Sequence, residues 1–271
     1  MTIHSHLILS ILILASLRDV SLYGQTAPSP GQPTEYTLRV LTYNIYHGET
    51  TDGRVDMDLF GKIIREVNPD LVALQEVDKN AQRTGVIDIT QELSKRTGLK
   101  GYFCKHRDFQ GGEYGNAILS RFPVADVHLI EGFKTGEHGI TIPFAKIELA
   151  PDTFIYFSSS HLTTRPAERE VQARQVAEYY TGVLERAPTL ITGDLNAEPH
   201  HAELQMLFEE FAEADSTFAN TFSTRTGMRK KIDFILYPDN DQWEVVETKV
   251  ICREDASDHC AFFAVLKYFV R

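Results

Sequence analysis

Cysteine is scarce, with only Cys104, Cys252 and Cys260 in 271 residues. An odd number cannot all pair within one chain, so no disulfide framework is expected to organise the fold. Cys252 and Cys260 end two apolar runs and could bridge in an oxidising compartment, but buried free thiols are the expected state. No CxxC pair or His/Cys cluster marks a zinc site. Positive charge is also short, 27 Lys and Arg against 38 Asp and Glu, for a net charge of −11. A field of that sign repels polyanions and disfavours nonspecific grip on duplex nucleic acid. The apolar run Leu7 to Ala15 falls well below the roughly 20 residues that cross a bilayer. It has the length of a signal-peptide core, although no Lys or Arg precedes it, and small residues from Ser21 suit cleavage near Gly24 or Gln25.

The polar, Pro-rich stretch TAPSPGQP reads as a linker. The expected organisation is a signal peptide over 1–25, a linker over 26–35 and one domain over 36–271. Such a chain is secreted or periplasmic, keeps no membrane span after processing, and is expected as a monomer.

Tyr36 to Ile45 alternates Leu38, Val40 and Thr42 against Leu41 and Tyr43, the pattern of a strand. Met57, Phe60, Ile63, Ile64 and Val67 recur at helical spacing until Asn68-Pro69, and Asp70 to Val77 is a buried-type strand. A second helix is expected over Ile89 to Arg96. Short β-rich pieces follow at Gly101 to Lys105 and Tyr114 to Ser120, then at Pro123 to Ile130, Ile142 to Leu149 and Thr153 to Ser160. Pro166 opens a helix whose apolar stripe runs to Leu184, and a further helix is expected over Glu203 to Phe211. TLITGDLN, Ile232 to Tyr237, Trp243 to Cys252 and Ala261 to Phe269 are strands. Many strands with few helices imply an α+β sandwich of two packed sheets flanked by helices.

The polar residues concentrate where these strands end. Asn44 and Glu76 close or nearly close the first two, His161 follows Thr153 to Ser160, Asp194 and Asn196 follow TLIT, Asp233 opens a strand, and Asp258-His259 precede the last. Singly, each has an ordinary account as a turn former or solvated acid. Converging, they form an acidic hole, which needs partners or a cation. Glu, Asp and Asn oxygens suit Mg²⁺ or Mn²⁺.

The segments LTYNIYHG, LVALQEVD, YGNAILSRFP, SSHL, GDLNAEP, KIDFIL and SDHC stand in that order between residues 41 and 260. Their order resembles the endonuclease/exonuclease/phosphatase superfamily, which includes deoxyribonuclease I, neutral sphingomyelinases and inositol polyphosphate 5-phosphatases. The resemblance implies a four-layer α/β/β/α sandwich of two mixed sheets and a metal-dependent hydrolase of phosphoester bonds. It implies Glu76, Asn44 and Asp258 as metal ligands and Asp194 as the water activator, with Asn196 holding the water or the phosphate. His161 and His259 would bind the phosphoryl group, Asp233 would orient His259, and Tyr114 and Asn116 would approach the substrate. Two positions depart from the pattern: Tyr46-His47 stand where nucleases often carry an acid, and His138 lies where many members carry an Arg. Arg165 and Arg169 could compensate, although a solvated helix face is their expected place, as a surface charge is for Arg83. The charge favours a small phosphoester substrate over nucleic acid. An extracellular nuclease would need a Lys- or Arg-lined groove, a sphingomyelinase an exposed apolar hairpin, and a binding module without chemistry would not need the whole acid and histidine set.

Overall fold

β1 (Glu35–Asn44) turns Leu38 and Val40 to one side and Leu41 and Tyr43 to the other, and all four are buried. A strand apolar on both faces must be covered on both, and that requirement builds the layers. The computed structural model describes residues 34–131, 141–223, 227 and 229–270. The expected signal peptide, the expected linker as far as residue 33, and His138 lie outside the described residues.

α1 (Met57–Glu66) starts where the Asp56 carboxylate accepts from Leu59 N at 3.0 Å, and the chain returns as β2 (Leu71–Lys79) parallel to β1. α2 (Ile89–Thr97) is capped in the same way by Asp88 and closed by Gly98 in the left-handed region. The hairpin β3 (Lys100–Phe109) and β4 (Gly112–Ser120) completes one side of this sheet. The pieces expected to be short are therefore long strands, with Gly111-Gly112 at their turn.

β5 (Val124–Glu131), β6 (Thr141–Ala150) and β7 (Thr153–Ser158) form a meander. A short β8 (Ser160–His161) leads into α3 (Pro166–Glu178), which carries Pro166 in its first turn and runs on into a wide turn over Tyr179–Val183. β9 (Thr189–Asp194) returns parallel to both β7 and β8. α4 (Ala202–Leu207) is shorter than the expected helix, because Phe211 opens β10 (Phe211–Glu213) and buries its ring against Tyr180. The small pair β11 (Phe222–Ser223) and β12 (Arg229–Lys230) precedes β13 (Asp233–Pro238), β14 (Trp243–Ile251) and β15 (Ala261–Phe269).

The strands form two mixed sheets, ordered β14-β15-β1-β2-β4-β3 and β10-β13-β9-β7-β6-β5. Leu38, Val40, Ile118, Ile147, Phe157 and Phe262 fill the space between them. Tyr43, Phe60, Ile63 and Leu93 pack α1 and α2 on the outer face of the first sheet. Phe144, Val176, Leu204 and Phe234 do the same for α3 and α4 on the second. This is the four-layer α/β/β/α sandwich.

Two expectations are corrected. Cys252 and Cys260 form a disulfide, because β14 and β15 bring their Cα atoms to 4.3 Å, leaving buried Cys104 as the free thiol. Arg169 is not on a solvated face: it is buried and pairs with buried Glu203 at 2.8 Å, tying α3 to α4. Arg83 is exposed, the surface charge expected of it, and it also donates twice to the fully buried Asp78, at 2.7 and 2.8 Å. No described helix is long and apolar enough to cross a membrane.

Because the disulfide closes a short loop, its contribution by loop-closure entropy is about 2 kcal/mol. Replacing both cysteines by Ala is expected to lower the unfolding free energy by that order. A fall in the urea midpoint is the measurement that checks it.

Candidate active site

The site forms where the two sheets meet at one end of the sandwich. β9 and β13 place Asp194 and Asp233 directly opposite each other, and β8 sets His161 beside Asp194. The approach of β8 is close: a Cβ on Gly193 would stand 1.9 Å from the Ser160 carbonyl oxygen, so only glycine serves in the GDLN segment. From the other sheet, β1 delivers Asn44, and the disulfide-closed loop after β14 delivers Asp258 and His259. Ser257 Oγ fastens that loop by donating to the Asn44 carbonyl at 2.7 Å.

Asp194 is the hub. Its Oδ1 accepts from Asn196 N at 2.9 Å, while Oδ2 accepts from Asn44 Nδ2 at 3.1 Å. The same Oδ2 lies 3.6 Å from Nε2 of both His161 and His259. Asn44 Nδ2 also donates to Glu76 Oε1 at 3.2 Å, so one amide spans the two carboxylates across the sheets. Asn44 Oδ1 accepts from Tyr46 N at 3.1 Å. Asn196, in the left-handed region, donates its side-chain amide to Leu162 O at 2.9 Å.

Behind His259, Nδ1 meets both oxygens of the fully buried Asp233 at 3.1 and 3.0 Å. Thr221 Oγ1 accepts from Asp233 N at 3.0 Å and fixes its backbone. Burial disfavours the imidazolium of His259, but Asp233 and Asp194 outweigh it and raise its pKa to about 10. Burial likewise pushes the Asp194 carboxyl up, against the pull of His259.

Two β-bulges flank β4 at one level. Pairing with β2 slips between Leu74 and Val77, and pairing with β3 slips between Lys105 and Arg107. The first leaves Glu76 in the left-handed region at φ 57°, which turns its carboxylate toward Asn44 instead of the next ladder position. The second bulges out His106. Gly115 lies between them, where a Cβ would stand 2.0 Å from the Cys104 carbonyl oxygen.

The structure thus joins Asn44, Glu76, His161, Asp194, Asn196, Asp233 and His259 by direct contacts. Asp258 sits on the same loop, 3.4 Å from Ser257 Oγ. Tyr114 lies within electrostatic reach of Glu76, and burial raises its phenol pKa. Asn116 is fully buried and donates to the Ser159 carbonyl at 2.7 Å. Sequence reading missed Thr221, Ser257 and His106. Ser257 heads the SDHC segment but acts, like Thr221, through backbone contacts that the segment does not reveal, and His106 becomes an extra residue only through the pairing of β3 with β4. Of the departures, Arg165 is exposed and pairs with Glu168 at 3.0 Å. Arg169 is committed to Glu203.

Among the described residues, two groups could hold a metal by proximity: Asp194, Asp233 and His259, and Glu198, His200 and His201. In the second, His201 Nδ1 accepts from Glu198 N at 3.1 Å, which occupies that ring nitrogen in the turn before α4. In the first, Asp233 is spent on His259. The Glu76 carboxylate, whose Oε1 accepts from Asn44 Nδ2, offers the hard oxygen donors that fit Mg²⁺ or Mn²⁺.

Such a set of acids and histidines, at one end of two packed sheets, defines a phosphoester-processing class, and the sequence agrees. Residues 41–259 match the model of the Endonuclease/Exonuclease/phosphatase family, and the chain belongs to that family. Membership supports metal-dependent hydrolase or nuclease-type activity in general. Among individual relatives, the uncharacterized protein YbhP of Escherichia coli K12 is 26% identical over 209 residues, covering 71% of this chain and 82% of YbhP. The fold of this chain is similar to that of the endonuclease/exonuclease/phosphatase from Bacteroides vulgatus, with TM-score 0.72, 18% identity and coverage of 86% and 99% of the two chains. It is also similar to truncated Caenorhabditis elegans TDP2, with TM-score 0.66, 18% identity and coverage of 87% and 98%.

Removing the charge behind His259 should release its proton. In Asp233→Asn the His259 pKa is expected to fall from about 10 toward the ordinary imidazole value, followed by NMR of the ring protons. Because the folded-state pKa is raised, the stability from this charged His is complete below about pH 6.5 and disappears as pH rises through about 10. The Asn variant should lack that alkaline decline.

Proposed function

We propose that this protein is an exported, divalent-metal-dependent hydrolase of phosphoester bonds that acts by in-line attack of water. The observation that carries the reading is Asp194 Oδ2, which faces Asn44, His161 and His259 at once while Asp233 backs His259. Glu76 and Asp258, with Asn44 beside them, would hold Mg²⁺ or Mn²⁺. When bound, the cation supplies positive charge that polarises the phosphoryl group and stabilises the leaving oxyanion.

The chain's own residues divide the remaining work. Asp194 takes a proton from the attacking water as the new P–O bond forms and the bond to the leaving alcohol oxygen breaks with its electron pair. Asn196, fixed between Asp194 and Leu162, holds the water or a phosphate oxygen. His259 has a pKa raised to about 10, so at neutral pH it serves as a cationic donor to a nonbridging oxygen and not as the base. His161 donates from the opposite side. Tyr114 lines the approach to the substrate, and the fully buried Asn116 supports it from behind by holding the Ser159 carbonyl.

Export is supported by the N-terminal apolar run and by the Cys252–Cys260 disulfide, which persists in oxidising compartments. The net charge of −11 favours a small substrate. A nuclease reading draws support from Arg83 and Arg107, whose guanidinium groups lie 4.5 and 5.1 Å from the Phe109 ring and 5.7 and 5.1 Å from that of Tyr114. That reading is second because Arg83 is neutralised by Asp78.

Glu76→Ala is expected to weaken Mn²⁺ binding and turnover together. Asp194→Asn should keep metal affinity and lower kcat by roughly 10² to 10⁴, the usual range for a general base. Calorimetry with Mn²⁺ and hydrolysis of a mixed phosphoester panel check both. Wild-type protein that binds no metal and hydrolyses none of the panel would overturn the assignment.

A further inference from the structure

The pair behind the site spans the two sheets: Asp233 opens β13 in the second, and His259 ends the loop that leads into β15 in the first. Its contact, Nδ1 to the two carboxylate oxygens at 3.1 and 3.0 Å, tolerates little relative movement of the layers. The segment Thr221–Phe222 belongs to neither sheet and touches both sides of the pair. Thr221 Oγ1 accepts from Ile232 N at 3.2 Å and from Asp233 N at 3.0 Å, and Thr221 N donates to the Lys230 carbonyl at 2.9 Å. On its other side the Thr221 carbonyl accepts from Cys260 N at 2.6 Å. Phe222 forms an isolated bridge with His259, and their ring centroids stand 4.7 Å apart with planes at 56°.

Thr221 is fully buried, so it meets neither water nor substrate. Its hydroxyl oxygen takes two adjacent backbone N–H groups where β13 begins, a demand that a methyl group in its place cannot meet. Leaving those buried donors unpaired is costly enough to move the backbone that carries Asp233. Because the carbonyl of the same residue holds Cys260, a shift on one side is not matched on the other, and the Asp233–His259 contact takes up the difference. A donor to a phosphoryl oxygen stabilises the transition state only at close hydrogen-bond range. The place of the imidazole therefore matters more to turnover than to ground-state binding.

We propose that Thr221, with Phe222 beside it, is the positioning residue of the Asp233–His259 pair. Its hydroxyl oxygen sets the carboxylate, its carbonyl and the neighbouring ring set the imidazole, and this fixed relation aims His259 Nε2 at the phosphoryl group. The proposal rests on the hydrolase reading above and adds a residue that acts without touching substrate. A threonine that only stabilised the fold would change how much enzyme is folded, not how fast each folded molecule turns over.

Thr221→Val keeps the shape and removes the acceptor, whereas Thr221→Ser keeps the acceptor and removes a methyl group; both are compared with the wild-type full chain in Mn²⁺. With bis-p-nitrophenyl phosphate, or the fastest ester of a mixed panel, Thr221→Val is expected to lose roughly 10- to 100-fold in kcat. KM and the calorimetric Mn²⁺ affinity should change little, and Thr221→Ser should recover most of the loss. Crystal structures supply a second readout: the Asp233–His259 contact should lengthen beyond about 3.5 Å in the Val variant and stay near its present value in the Ser variant. A Val variant with wild-type kcat overturns the inference and leaves the hydrolase reading standing, as does a Ser variant as impaired as the Val one. An unchanged contact in a slow Val variant also overturns it, since the loss then has another source. Wild-type protein that hydrolyses no ester removes both readings. If Thr221→Val fails to fold, Thr221→Ala takes its place: the Ser variant is still expected to exceed it in kcat, and equal rates in the two contradict the proposal.

Discussion

A carboxylate removed from bulk water is the constraint on which this site depends. Asp194 is about 1% exposed, and a bare charge there would be untenable. Every neighbour answers it: the Asn196 backbone and the Asn44 amide donate to it, and two imidazoles face its other side. Supplying those partners requires elements from both sheets, so the packing of the sandwich and the polarity of its end are one problem. Asp233 extends the solution by holding His259 cationic.

The bulges beside β4 show how regular strands yield an irregular site. A strand alternates its side chains strictly, and Glu76 in unbroken register would not face Asn44 as it does. One extra residue on each side of β4 breaks the alternation locally, and Gly115 makes room for the backbone crowding that results. The buried Lys231–Glu213 pair, 2.8 Å apart, anchors the chain just before Asp233, with Lys231 Nζ 3.8 Å from the Phe262 ring. Burial raises Glu213 to about 7, against the pull of Lys231.

Much of this was legible in the sequence, for identifiable reasons. Alternation in Tyr36 to Ile45 and helical spacing from Met57 to Val67 are local signals, and β1 and α1 match them within a residue. Strand-end acids could be gathered because their order was distinctive. The partners that arise only in three dimensions were not legible. Arg169 was read as solvated because Glu203, its partner, lies 34 residues away on a helix whose packing against α3 has no sequence mark. The Cys252–Cys260 bond depended on the register of β14 against β15. The helix expected through Phe211 ended early because that ring found a place in the core beside Tyr180, a tertiary preference that overrides local periodicity. His106 was hidden because bulges follow from pairing.

The Asn44 amide bridges the seam between the layers, touching Glu76 on its own sheet and Asp194 on the other. Its two contacts make interlayer spacing a chemical variable. Phe157 and Phe262, deep in the apolar filling, act as gauge blocks that set the gap. A change in their bulk would be transmitted as a stretch or compression between two carboxylates far from the altered ring.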